Sequence, residues 1–186
     1  MTITSASSGY DDGRDRAVEG GSGRKHVLLI EDSLAQATAY TAYLTTAGYD
    51  VEHVPNGEAA LSMLALSPPD VVVLDLCLPG IQGIEVLRHI RTTGLKQPVI
   101  VITDHASVDT AVNAMRDGAY DFVTKPFGAE RLRVTVTNAL RHVDLEDKVK
   151  TYKENYERDS FHGFIGASKS MQAVYRVVES AAASRA

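Results

Sequence analysis

Apolar residues in this chain fall into two patterns, and the chain passes from the first to the second five times. Short apolar runs, HVLLI at 26–30, VVVLD at 71–75 and PVIVIT at 98–103, have the length and β-branched content of strands buried on both faces. YDVEHV at 49–54 alternates apolar and polar positions, as a half-buried strand does. AYDFVTKPF at 119–127 predicts a fifth strand ending at Lys125-Pro126. Between these runs, 33–48, 56–66, 83–94 and 107–118 carry helical spacing, and a fifth helix starts at Ala129. Ser33 and Ser107 stand where an N-cap belongs, and Gly48, Gly94 and Gly118 where a helix stops. Five strands alternating with five helices through short loops predict an α/β fold, a doubly wound five-stranded parallel sheet of (βα)5 type.

In such folds ligands gather beyond the carboxyl ends of the strands. Glu31-Asp32 follows the first strand, Asp75 ends the third, Thr103 ends the fourth and Lys125 follows the fifth. Singly, each has a plain structural reading: a solvated loop acid, a capping hydroxyl, a surface cation. Together they share one rim. Three crowded carboxylates repel one another, so one tends to hold a proton unless a cation relieves it. Hard oxygen donors with open water positions suit Mg²⁺. Glu31, Asp32 and Asp75 are the expected metal ligands, joined by the backbone carbonyl of Cys77. Asp75 is also placed to act as a nucleophile toward a phosphoryl group. Lys125 and the cation would neutralise charge on the transferred oxygens, with Thr103 as a hydroxyl donor. That chemistry explains why a strand of four apolar residues ends in an aspartate whose charge is costly to bury alone.

Composition narrows the picture. The chain has 186 residues, 44% hydrophobic and 23% charged, the balance of a globular protein. A net charge of −5 offers no bulk basicity for nucleic acid, so a DNA-binding module is not expected in this stretch. The single cysteine, Cys77, rules out an intramolecular disulfide framework and fits a reducing cytoplasm. No run is long and apolar enough for a membrane span. Residues 1–24, rich in Gly, Ser and Asp, are expected to be a disordered leader, not a secretory signal. Six histidines lack ligand spacing and read as surface or packing residues.

EDS at 31–33, DLCLPG at 75–80, Thr103 and KPF at 125–127 resemble, in order and separation, the receiver domain of bacterial two-component response regulators. The likeness spans roughly 25–140 and implies a flavodoxin-like receiver fold. It implies Asp75 as phosphoacceptor, Glu31 and Asp32 as Mg²⁺ ligands with the Cys77 carbonyl, Thr103 as switch hydroxyl and Lys125 as phosphate-binding lysine. Phe122 matches the aromatic switch position, a role compatible with core packing. The implied phosphodonor is a histidine kinase or a histidine phosphotransfer protein. Asp104 departs from the pattern, which has a small residue after the threonine. It would repel a donor, orient a hydrolytic water or point to solvent. His105 and the Cys77 side chain flank the entry, with an effect on phosphoryl lifetime that the sequence does not sign.

The fifth helix is expected to continue past 140 as a helical linker over 141–160. Val136, Leu140 and Val143 share one spacing, and Leu145, Val149, Tyr152 and Tyr156 another, as in a coiled coil with a phase shift. Dimerisation through that linker is expected, against the plainer option of one amphipathic helix packing on its own domain. The tail, 161–186, resembles the opening of the AAA+ domain of sigma-54-dependent activators of the NtrC group, through Gly166–Ser168, Met171 and Val174. FHGFIG and MQAVYRVVES resemble LuxO-type quorum-sensing regulators. This implies a parent protein that engages DNA and sigma-54 RNA polymerase. No phosphate-binding G-x-x-x-x-G-K-[ST] loop occurs in these 186 residues, so the expectation is a phosphoacceptor and not an ATPase.

Rival readings fare worse. A haloacid-dehalogenase-type phosphatase needs a second acid two residues after the nucleophile, where Cys77 stands. A dinucleotide-binding fold needs its glycines after the first strand, and GGSG at 20–23 precedes it. A flavin module has no phosphate loop here. The alternative from another class is a degenerate receiver serving as a phosphorylation-independent dimerisation module. It predicts a missing acid or lysine, and all five rim residues are present.

Overall fold

A computed structural model describes residues 23–104, 107–161, 164–165, 171 and 174. Nearly all of the expected leader, His105 and most of the expected AAA+ segment lie outside the described residues. The five apolar runs form strands β1 (His26–Ile30), β2 (Asp50–Val54), β3 (Val71–Asp75), β4 (Val99–Thr103) and β5 (Asp121–Thr124). All neighbours pair in parallel, in the order β2-β1-β3-β4-β5, so both faces must be covered by the connecting helices.

Alternation along the strands divides the core in two. Leu28, Ile30, Val72, Leu74, Val99 and Val101 face helices α2 (Gly57–Leu66), α3 (Gly83–Thr92) and α4 (Val108–Arg116). Val27, Leu29, Val71, Val73, Ile100 and Ile102 face α1 (Leu34–Thr46) and the first part of α5 (Ala129–Asp159). Every residue of β3 and β4 is buried, as their unbroken apolar runs predict. On α5 the buried residues are Leu132, Thr135, Val136, Ala139 and Leu140, a single helical stripe.

Local signals set most boundaries. The Asn56 side chain accepts the Ala59 N–H at 2.8 Å, and the Ser107 side chain accepts that of Thr110 at 3.0 Å. Ser33 occupies the N-cap position of α1, but its side chain makes no capping bond. Its N–H instead reaches Glu31 Oε1 at 3.2 Å, so the turn is folded around the acid. The fifth strand is shorter than the 119–127 predicted. Tyr120 still donates to Val99 O at 2.8 Å, but the ladder closes at Thr124, next to Lys125 and a proline with no N–H to give. After Leu140, α5 runs on unbroken to Asp159, and Leu145, Val149 and Tyr152 are exposed on it. A short antiparallel pair, β6 (Ser160–Phe161) and β7 (Phe164–Ile165), follows; the hydrophobic pattern does not predict it. No described helix is long and apolar enough to cross a membrane.

Candidate functional site

The sheet's carboxyl edge brings the rim residues together because β1, β3, β4 and β5 all end there. Past β1, Glu31 keeps the ladder for one more residue, its N–H donating to Val54 O at 3.2 Å, and its side chain is 1% exposed. Asp75, the last residue of β3, is 3% exposed, and Thr103, the last of β4, is 1% exposed. Lys125 is 6% exposed and is tied to β4 by its backbone N–H, which donates to Thr103 O at 2.9 Å. Helix α3 closes directly on this edge. A Cβ at Gly83 would collide with the backbone carbonyl of Asp75, so only glycine permits that approach.

Charge organises the rim. The Lys125 ammonium donates to Glu31 Oε2 and to Asp75 Oδ2, each at 2.6 Å, across 94 and 50 residues of sequence. The other Asp75 oxygen, Oδ1, accepts the Cys77 N–H at 2.9 Å. Burial pushes the Glu31 carboxyl above the ordinary glutamate range and the Asp75 charge adds to this, against the pull of Lys125. Burial alone would lower Lys125, but its hydrogen bonds to Asp75 and Glu31 and their charges prevail, holding the ammonium protonated beyond the ordinary lysine range. The directions differ in origin: burial sets that of Glu31, whereas two carboxylates sharing a single ammonium set that of Lys125.

Asp32, exposed, completes the cluster. Glu31, Asp32 and Asp75 can each offer a carboxylate oxygen within 4.8 Å of the others. With Lys125 as their only contacting cation among the described residues, the three acids carry a formal charge of −2, and the donors are all hard oxygens. Both properties fit a divalent cation such as Mg²⁺. The Cys77 side chain lies beside the switch candidate, Sγ 3.8 Å from Thr103 Oγ1. Both line a cavity of about 330 Å³ between α3 and α4, with Arg88 and Asn113 on its walls. Phe122 is half-buried against the α3–α4 core, and Asp104 is exposed.

Sequence reasoning missed a second layer. Tyr40 of α1 is buried, with its ring centroid 5.8 Å from Lys125 Nζ, and it stacks on Phe127 at 4.7 Å. The pair covers the lysine's α1 side, and no motif marks Tyr40 within a helix of small residues. His53, set aside with the other histidines, bonds the Glu31 backbone carbonyl, with Nε2 at 2.8 Å.

The response regulator receiver domain family matches residues 27–137, more than half of the chain. The chain belongs to this family. The receiver is similar to the luminescence regulatory protein LuxO of Vibrio campbellii, 43% identical over 158 residues, which cover 85% of this chain and 34% of that protein. It is 32% identical to the transcriptional regulatory protein ZraR of Klebsiella oxytoca over 148 residues, 80% of this chain and 32% of ZraR. It therefore spans about a third of the length of these two curated relatives. The crystal structure of the signal receiver domain of a LuxO repressor protein from Vibrio parahaemolyticus superposes with a TM-score of 0.66 at 41% identity. The match covers 68% of this chain and 97% of that one.

Proposed function

We propose that this receiver accepts a phosphoryl group on Asp75 and uses it to switch a downstream regulatory module. The observation that carries the reading is the Lys125 ammonium held 2.6 Å from both Asp75 and Glu31 inside a three-carboxylate cluster. A carboxylate so placed is a poor structural element and a good acceptor. Its negative charge is matched on one side by a fixed cation and leaves a deficit suited to a divalent ion on the other. In the transfer, an Asp75 oxygen attacks phosphorus, the bond from phosphorus to the donor imidazole nitrogen breaks, and the neutral imidazole leaves with a proton from solvent. The product is an acyl phosphate on the chain and an unphosphorylated histidine on the partner. Glu31, Asp32, Asp75 and the Cys77 carbonyl would hold Mg²⁺, whose charge offsets that developing on the phosphoryl oxygens. Lys125 supplies the fixed part of that compensation, and Thr103 donates its hydroxyl to a phosphoryl oxygen.

The acyl phosphate draws Thr103 and Lys125 toward it, and Phe122 follows. Two populations of the α4–β5–α5 face then exchange weight. Because α5 continues without a break to Asp159, the shift reaches the linker, where Leu145, Val149 and Tyr152 form the seam of a homodimer. The downstream module is a sigma-54-dependent AAA+ regulator, and its control belongs to quorum sensing. Support comes from the likeness to a luminescence regulatory protein and from the tail residues Gly166–Ser168 and Met171. The domain boundaries follow this division: receiver to 140, linker 141–160, AAA+ opening from 161.

Intact-mass spectrometry after incubation with acetyl phosphate or a histidine-phosphorylated partner tests the reading. One phosphoryl adduct is expected in the wild type. It should vanish when Mg²⁺ is withheld and in Asp75→Asn, while the far-ultraviolet circular dichroism of that variant is unchanged. An adduct that survives Asp75→Asn would place the acceptor elsewhere. No adduct from either donor would return the chain to a phosphorylation-independent dimerisation module.

A further inference from the structure

His53 stands next to last in β2, in register with Leu29. Its Nε2 lies 2.8 Å from the backbone carbonyl oxygen of Glu31. A carbonyl oxygen only accepts, so Nε2 is the protonated ring nitrogen and donates. That carbonyl belongs to the peptide joining Glu31 to Asp32. The Glu31 N–H is already held by Val54 O, so β2 grips both polar ends of the residue, one through its backbone and one through a side chain. Ser33 N–H closes the turn on Glu31 Oε1. Asp32 is exposed, and its carboxylate has no hydrogen bond or ion pair among the described residues, so its placement follows the peptide that carries it.

We propose that His53 is a positioning residue for the cation site. By donating to the Glu31 carbonyl it fixes the Glu31–Asp32 peptide, which keeps the Asp32 carboxylate within reach of Glu31 and Asp75. The inference rests on the cation-binding role proposed above for those acids and adds a residue outside the ligand set. It requires a donated hydrogen at that point, not merely a ring. Outer partners of metal ligands commonly govern affinity by tenfold or more, because a ligand held in place loses less freedom on binding.

The test is a Mg²⁺ titration of the full chain by calorimetry, with thermal unfolding recorded in parallel. His53→Phe keeps the ring and removes the donor; His53→Gln restores a donor at the same number of bonds from the backbone. The Phe variant is expected to raise the Mg²⁺ dissociation constant about tenfold. The Gln variant should stay within about threefold of wild type, with both melting cooperatively. At saturating Mg²⁺ the Phe variant should accept a phosphoryl group from acetyl phosphate at the wild-type rate, separating placement of the cation from chemistry. Wild-type affinity in the Phe variant would overturn the proposal, as would a Gln variant as weak as Phe. A wild type that binds no Mg²⁺ would overturn the cation-site reading itself, and the proposal with it.

Discussion

The interior of the sheet and its carboxyl rim belong to the same strands, yet they are stabilised by opposite means. In β3, Val71 to Leu74 are fully buried among apolar neighbours, and the next residue, Asp75, is buried against charge. Four of the five buried polar or charged side chains among the described residues stand on the rim: Glu31, Asp75, Thr103 and Lys125. In the interior, each side chain contributes by leaving water, largely independently of its neighbours' ionisation. At the rim nothing contributes alone. Every group there depends on another's protonation state, and the arrangement keeps like charges close. The interior is thus built for stability, while the rim holds a charge deficit that a divalent cation can relieve.

The sharpest way to break that contrast is to remove the rim's cation. Lys125→Met leaves Glu31 and Asp75 buried without a positive partner, a loss of about 3–5 kcal/mol by chemical denaturation at neutral pH. The loss should shrink in acid, where the carboxylates take up protons, and saturating Mg²⁺ should recover part of it. Ile100→Ala in the interior is expected to cost about 3 kcal/mol, within the usual range for emptying an apolar site. Its cost should be flat from pH 5 to 8 and identical with and without Mg²⁺. If the two losses responded alike to pH and to the cation, the division between interior and rim would fail.

The same division decides what could be read from the sequence. Helix stops at Gly48, Gly94 and Gly118 were legible because a positive φ, from 77° to 97° here, selects glycine locally. The strands were legible because burial on both faces leaves continuous apolar runs. The membership of the rim was legible too, since parallel topology alone carries strand ends to one edge. Its wiring was not. The bond from Lys125 to Glu31 joins residues 94 apart, and the unequal exposure of Glu31 and Asp32 depends on which way one turn folds. His53 sits in an alternating strand, where a histidine has no distinguishing mark. Tyr40 reads as one more residue of a buried helix face. β5 is shorter than expected at both ends: Ala119 and Tyr120 keep an apolar texture ahead of Asp121, where the strand begins, and Lys125-Pro126 follows Thr124, where it stops.

The smallest expected effect is also the most discriminating, and it concerns Glu31. Burial raises its folded-state pKa above the ordinary value of 4.5. The folded protein therefore binds a proton that the unfolded chain has already released, and stability must fall as pH rises through that interval. The penalty is absent below pH 4.5 and complete once the folded carboxyl has ionised. Lys125 has the complementary sign. Its raised pKa gives stability that is present below 10.5 and lost as pH climbs through the folded value. Glu31→Gln removes the acid limb and weakens the basic one, because the amide oxygen can still accept from Lys125 but no longer brings a charge to it. In Mg²⁺-free buffer the variant should match or slightly exceed wild-type stability at pH 7, by less than either loss above, and the difference should close toward pH 4. Adding Mg²⁺ should reverse the ranking. The wild type gains stability in proportion to the logarithm of cation concentration over its dissociation constant, whereas the variant, short of one charged ligand, gains much less. A buried acid that lowers stability until a cation arrives is what a binding site requires and a structural ion pair does not. A Glu31→Gln variant that is less stable without Mg²⁺ and equally responsive to it would mark Glu31 as an ordinary buried partner of Lys125.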